Sequence, residues 1–118
     1  MTAAEADRPA HHESTAGRLP AIAADIASCL TAAGFTDHPP LRQALALAEE
    51  VGEFVGAVRR FHGMARRTGS FDDVRHELAD VVITAFVTAH EMGFDLEAAI
   101  DEKVAVIYDR GWRDEPRS

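Results

Sequence analysis

The stretch FDDVRHELADVVITAFVTAHEM, residues 71–92, decides the fold of this 118-residue chain. On a helical wheel at about 100° per residue, its apolar side chains spread over most of the circumference and leave one polar stripe. A helix that is apolar nearly all round is buried by several partner helices or by another subunit. The stretch therefore predicts the central helix of a bundle that is completed by oligomerisation.

Three further helices are predicted from helical periodicity and from residues typical of helix ends. Ser70 and Asp95 precede the third and fourth helices and are suited to cap them. Gly63 weakens the second helix and marks an alternative, earlier end for it. Because the sequence has no alternating segment and no Asn-Gly or Asp-Gly hairpin signal, we predict an all-α fold with a four-helix bundle. The predicted helices cover about residues 19–33, 40–67, 71–92 and 95–108.

Composition and charge exclude several classes of protein. The formal net charge of −8 makes the chain a poor nucleic-acid binder, and no apolar run approaches the roughly 20 residues of a membrane span. The single cysteine, Cys29, excludes an intrachain disulfide and a cysteine-based zinc site. We expect its thiol to be buried on the apolar face of the first helix.

The ends of the chain differ in character from its middle. The start lacks the basic and apolar regions of a secretory signal, so we predict a cytoplasmic protein. Residues 1–18 are small, polar and unpatterned, which predicts a disordered tail. One helical domain is predicted at residues 19–113, followed by a short tail at residues 114–118.

Two acidic segments carry the chemistry: EEVGEF at residues 49–54 and HELADVV at residues 76–82. Glu50 and Glu53 lie one turn apart on one side of the second helix, at the edge of an apolar surface. Glu77 and Asp80 have a similar spacing on the polar stripe of the third helix. Two adjacent helices would therefore direct four carboxylates at one point.

Four carboxylates gathered at a partly apolar place repel one another and resist the loss of water. A hard divalent cation relieves both problems, and Mg²⁺ prefers oxygen ligands while keeping several of its waters. The residues alone leave a second interpretation open, in which these are two ordinary acidic helix faces. Glu49 points between Arg42 and Arg60 on the most polar face, which indicates an ion-paired side chain in solvent.

EEVGEF followed by ELAD resembles the EExxE…ExxD signature of the MazG-like, all-α nucleoside triphosphate pyrophosphohydrolases, over about residues 38–112. The resemblance implies hydrolysis between the α and β phosphates, giving monophosphate and pyrophosphate, and assembly as a homodimer or homotetramer. It implies a Mg²⁺ cofactor, for which Mn²⁺ can substitute. The candidates for the proton acceptor are Glu49 and a carboxylate of the metal set such as Glu53, and the sequence does not choose between them. The metal ligands that the resemblance implies are Glu50, Glu53, Glu77 and Asp80.

The same resemblance implies substrate contacts. Lys103 and Arg110, in DEKVAVIYDRGW at residues 101–112, stand where the family holds the phosphates. The asparagine usual in that segment is replaced by Ile107, which implies a weaker phosphate grip. His38 and Phe61 are the implied base contacts. A basic patch suits a triphosphate, the acids of a neighbouring subunit, or solvent, and its members are Arg59, Arg60, Arg66 and Arg67.

Two other functions compete with this one. A di-iron carboxylate protein on a four-helix bundle needs two Glu-x-x-His motifs, and the sequence contains none. A non-catalytic module that binds nucleotides or partners on the same fold stays open, because the segment around Ile107 is altered.

Overall fold

The structure, a computed structural model, describes residues 16–113. Within that range the chain forms a short 3₁₀ helix at Ala16–Arg18, four α-helices and no strand, which confirms the predicted all-α fold. Of the predicted tails, at residues 1–18 and 114–118, residues 1–15 and 114–118 lie outside the described residues. Residues 16–18 form the 3₁₀ helix instead of continuing the predicted disordered tail. The α-helices are α1 (Leu19–Ala32), α2 (Pro39–Phe61), α3 (Phe71–Met92) and α4 (Leu96–Arg110).

Local sequence sets the starts of α3 and α4. The Ser70 hydroxyl accepts a hydrogen bond from the Asp73 N–H at 3.1 Å, and the Ser70 N–H donates to the Asp73 carboxylate at 3.2 Å. This reciprocal pair is a capping box, which satisfies two backbone donors at once. Asp95 accepts from the Ala98 N–H at 3.1 Å. Both predicted caps are confirmed.

The end of α2 lies at Phe61, earlier than the predicted boundary at about residue 67. Gly63 adopts φ +72°, in the left-handed region that favours glycine. The N–H groups of Gly63 and Met64 donate to the carbonyls of Arg60 and Arg59, at 3.1 and 2.8 Å. These bonds satisfy the last carbonyls and stop the helix, so the alternative end at Gly63 is the correct one.

The central helix is α3, with α2 packed along one side and α1 along another. Its Phe86 and Val87 form the core together with Ala23 of α1. Cys29 is exposed, so its predicted burial is wrong. The reason is that α1 turns Ala23 and Ala27 inwards, and Cys29 lies two residues, about 200°, beyond Ala27.

The helices α2 and α3 form an antiparallel hairpin. At one end, the Thr88 hydroxyl, which donates to the Thr84 carbonyl at 2.7 Å, also lies 3.3 Å from the Gln43 carbonyl of α2. At the other end, the Phe61 and Phe71 rings lie 5.6 Å apart between centroids. These two contacts set the register in which Glu50 and Glu53 of α2 lie close to Glu77 of α3.

The last helix, α4, is almost without partners in one copy of the chain. Leu96 in its first turn packs against the core, but none of its residues is buried. Val104 is 42% exposed and Tyr108 is 74% exposed. Despite this apolar surface, none of the helices within residues 16–113 has the length and apolarity to cross a membrane.

Candidate metal centre

Three carboxylates converge where α2 faces α3. Glu50 and Glu53, one turn apart on α2, meet Glu77 of α3, and one carboxylate oxygen of each lies within 4.8 Å of the others. Two oxygens bound to one Mg²⁺ at about 2.1 Å are at most about 4.2 Å apart. The three groups are therefore near the spacing that a shared cation requires.

Two oxygens of this cluster lack partners. Glu50 and Glu77 are half-buried, and the Oε2 atom of each is shielded from solvent with no hydrogen bond to any described residue. Leaving a buried carboxylate oxygen unsatisfied costs free energy. Because Mg²⁺ and Mn²⁺ prefer oxygen ligands, the donor set fits either cation.

Asp80, the fourth predicted ligand, interacts electrostatically with the cluster. Loss of solvation, followed by the charges of Glu53, Asp80 and Glu77, raises the pKa of Glu50. Loss of solvation, then Glu53 and Asp80, likewise raises the pKa of Glu77, while the charge of Arg60 acts in the opposite direction. Asp80 is exposed, yet it lies close enough to repel both half-buried carboxylates.

These shifts predict how the stability of the cation-free protein depends on pH. The pKa values of Glu50 and Glu77 are raised in the folded state, so these groups contribute to the free energy of unfolding at low pH. This contribution is fully present below their ordinary pKa of 4.5 and is lost as the pH rises through the folded-state pKa values. Asp73 works in the opposite direction, because its hydrogen bonds with Ser70 lower its pKa. Its contribution is lost as the pH falls through the lowered value.

A double variant isolates the two raised carboxylates from Asp73. In EDTA, we expect Glu50→Gln/Glu77→Gln to melt at nearly the wild-type temperature at about pH 4 and well above it at about pH 7. Thermal melts followed by circular dichroism over this range measure the difference. A difference in melting temperature that stays constant with pH would contradict the proposed desolvation and repulsion.

The predicted base contacts lie apart from the carboxylates. His38 adopts φ +48°, which is uncommon for a residue other than glycine, and it lines a pocket of about 400 Å³ with Arg42 and Glu49. Glu49 is exposed, as predicted, and belongs to this pocket. The predicted ion pair of Glu49 is wrong, because neither ion pair within residues 16–113 includes it. Phe61, at the end of α2, contacts His62 and Phe71.

The predicted phosphate contacts, Lys103 and Arg110, are not brought to the carboxylates within one copy. Both are exposed on α4, the helix that buries none of its residues. No contact that the structure gives for residues 16–113 joins either cation to Glu50, Glu53 or Glu77.

Arg60 is the cation that sequence analysis did not distinguish from its neighbours. It is half-buried, and its charge lowers the pKa of Asp73 and opposes the rise at Glu77. The sequence feature that indicates its position is its spacing from Glu53. Arg60 follows Glu53 by seven residues, and two helical turns place both side chains on one face of α2. The presence of three more arginines nearby hid this relation.

One of three comparisons with known proteins found a match. The family model described as "MazG nucleotide pyrophosphohydrolase domain" matches residues 39–110, more than half of the chain and all of α2, α3 and α4. The comparison with curated proteins found no match. The comparison with solved structures also found none.

Proposed function

The chain belongs to the MazG nucleotide pyrophosphohydrolase family, and on that premise we propose that it hydrolyses a nucleoside triphosphate between the α and β phosphates. The products are a monophosphate and pyrophosphate. The observation that carries the proposal is the convergence of Glu50, Glu53 and Glu77, with two shielded oxygens that lack hydrogen-bond partners. A reaction on the nucleotide pool agrees with the predicted cytoplasmic location.

The proposed cofactor is Mg²⁺, with Mn²⁺ as a substitute. When bound, the cation would offset phosphate charge and lower the pKa of a bound water. The α2–α3 hairpin contributes by holding the carboxylates together in a partly desolvated place, where their interaction with a cation is stronger than in water. The proposed ligands are Glu50, Glu53, Glu77 and Asp80.

Exposure supports one of the two candidates for the proposed proton acceptor. Glu53 is exposed and lies inside the carboxylate cluster, so it can reach both solvent and the reacting phosphate. Glu49 is also exposed, but it lines the pocket beside His38 on another face of α2. We therefore favour Glu53 over Glu49 as the group that receives the proton of the attacking water.

His38 and Phe61 remain the proposed base contacts as alternatives, because they lie at opposite ends of the 23-residue helix α2. The pocket beside His38 also holds the aliphatic side chains of Leu41 and Leu45, and this mixture of polar and apolar groups suits a nucleobase. The Phe61 ring is 43% exposed, so part of its face is free to stack on a base.

A second copy of the chain is the proposed partner of α4 and of the outer surface of α2. An isolated helix of about 15 residues is marginal in water, so α4 needs another surface. On α2, the apolar side chains of Val51 and Val55 are exposed one turn apart and present an uncharged face. Such a face can meet its own copy without the repulsion expected for a chain of net charge −8. In a homodimer or homotetramer, Lys103 and Arg110 of one copy can approach the phosphate site of another.

The reaction is tested by its products. With Mg²⁺ and a nucleoside triphosphate, we expect monophosphate and pyrophosphate in equal amounts, measured by ion-exchange chromatography of the mixture. Substrate should be tested up to millimolar concentration, because the altered segment around Ile107 predicts a high KM. Diphosphate with orthophosphate would instead place the cut at the terminal phosphate and contradict the proposal.

A non-catalytic nucleotide-binding or interaction module is the second candidate. It is favoured by one observation, the separation of Lys103 and Arg110 from the carboxylates within one copy. A folded, Mg²⁺-bound protein that releases no pyrophosphate from a broad panel of triphosphates would establish this alternative.

A further inference from the structure

Arg60 lies at the end of α2, beside the carboxylate cluster, and we propose that it binds the phosphate chain of the substrate within the same subunit. The inference rests on the proposed function, because it takes a nucleotide phosphate as the ligand. Within one copy of the chain, Lys103 and Arg110 lie away from the carboxylates, and Arg60 supplies the positive charge in their place.

The direction of the Arg60 side chain comes from Gly56. A Cβ atom built at Gly56 would lie 3.3 Å from Nη1 of Arg60. The guanidinium therefore extends back along α2 by one turn, towards Glu53, over the space that a side chain at position 56 would occupy. The missing side chain allows the cation to lie near the carboxylates.

The loop at residues 62–70 holds the other end of this side chain. The Gly69 N–H donates to the Arg60 carbonyl at 3.3 Å, and a Cβ atom at Gly69 would lie 2.9 Å from the Arg60 Cβ. Only a glycine permits so close an approach without displacement of the loop. The stem of Arg60 is thus covered, which reduces the conformational entropy that the side chain loses on binding.

The guanidinium has charge to offer a ligand. Arg59 donates to the Met64 carbonyl at 3.4 Å, and Arg75 pairs with Asp72 at 2.9 Å. Arg60, by contrast, makes no ion pair and no side-chain hydrogen bond within residues 16–113. It is close enough to influence Glu77 electrostatically, and its planar set of donors suits bidentate contact with phosphate oxygens.

The test uses inorganic pyrophosphate as the probe, titrated with excess Mg²⁺ into the full chain and followed by calorimetry. We expect Arg60→Gln to raise the Kd for pyrophosphate by about tenfold to a hundredfold, the loss typical of a charge-assisted hydrogen bond. The matched control is Arg59→Gln, an exposed arginine in the same turn, which should change the Kd by less than about twofold. The Kd of Mg²⁺ alone should not rise in either variant, because removal of a positive charge does not weaken the binding of a cation.

A second variant tests whether a loss of pyrophosphate binding comes from the Arg60 charge or from a change in folding. Gly56→Glu keeps Arg60 but places a carboxylate against its guanidinium, and it should weaken pyrophosphate binding as Arg60→Gln does. Equal pyrophosphate Kd values for Arg60→Gln and Arg59→Gln, or no weakening by Gly56→Glu, would overturn the inference. A wild type that binds pyrophosphate through Arg60 but hydrolyses no triphosphate would support the inference and defeat the proposed function. If the wild type hydrolyses triphosphates and Arg60→Gln does so with the same KM, the proposed function would be supported and the inference about Arg60 would be overturned.

Discussion

The Glu50→Gln substitution should lower pyrophosphate release by at least about a hundredfold, because loss of an outer partner of a metal ligand alone costs about 10- to 100-fold. Glutamine keeps the shape of the side chain but removes the charge from a half-buried oxygen that has no hydrogen-bond partner. The melting temperature in EDTA should stay level or rise, since repulsion within the cluster is relieved. Initial rates with Mg²⁺, together with melts in EDTA, measure both effects.

The contrast with Glu49 makes this prediction specific. Glu49→Gln should be far milder, because its side chain is exposed on another face of α2, and Asp25→Asn on the exposed side of α1 should leave the rate unchanged. An inactive Glu49→Gln together with a fully active Glu50→Gln would reverse the assignment of the two neighbouring acids and remove Glu50 from the proposed metal centre.

The second large effect concerns assembly. The chain has a mass of 12.8 kDa, and light scattering after size exclusion should give two or four times that value. The double substitution Ile100→Glu/Val104→Glu should return the chain to a monomer, because each apolar side chain contributes about 1.5–3 kcal/mol when buried and a buried, unpaired glutamate is costly. Far-ultraviolet circular dichroism should also lose the signal of α4, which has too little support alone.

The control for assembly is Glu102→Gln on the same helix. This exposed side chain lies between the two substituted positions, and its change should leave the mass unaltered. If the wild type were a 12.8 kDa monomer with a fully helical α4 at about 100 µM, the proposal of a second copy against this helix would be wrong.

Much of the fold was predictable because it follows from short-range physics. The caps Ser70 and Asp95 depend on residues three positions away, and the structure has both. The spacing of Glu50 and Glu53 fixes their common side of α2 once a helix is assumed. The polar stripe of α3 likewise predicts that Glu77 faces the same point, and the structure brings the three glutamates together.

The remainder depends on contacts that periodicity does not encode. Cys29 lies on an apolar face of α1, but only tertiary packing decides that Ala23 and Ala27 meet α3. The lack of buried residues in α4 is also a matter of tertiary packing. Its sequence pattern is that of an ordinary amphipathic helix and does not predict this result. The position of the Arg60 side chain depends on both Gly56 and the close approach of Gly69. These two glycines lie on opposite sides of Arg60 in the chain.

All four proposed metal ligands come from one contiguous hairpin, closed by the nine residues between Phe61 and Phe71. A loop of about ten residues closes in about 10–100 ns, and contacts so local in sequence favour rapid folding. As α2 and α3 come together, however, the acids on both helices approach one another, so their repulsion adds to the barrier for hairpin closure. We therefore expect a divalent cation at the proposed centre to act on the rate at which the hairpin forms, as well as on the stability of the finished protein.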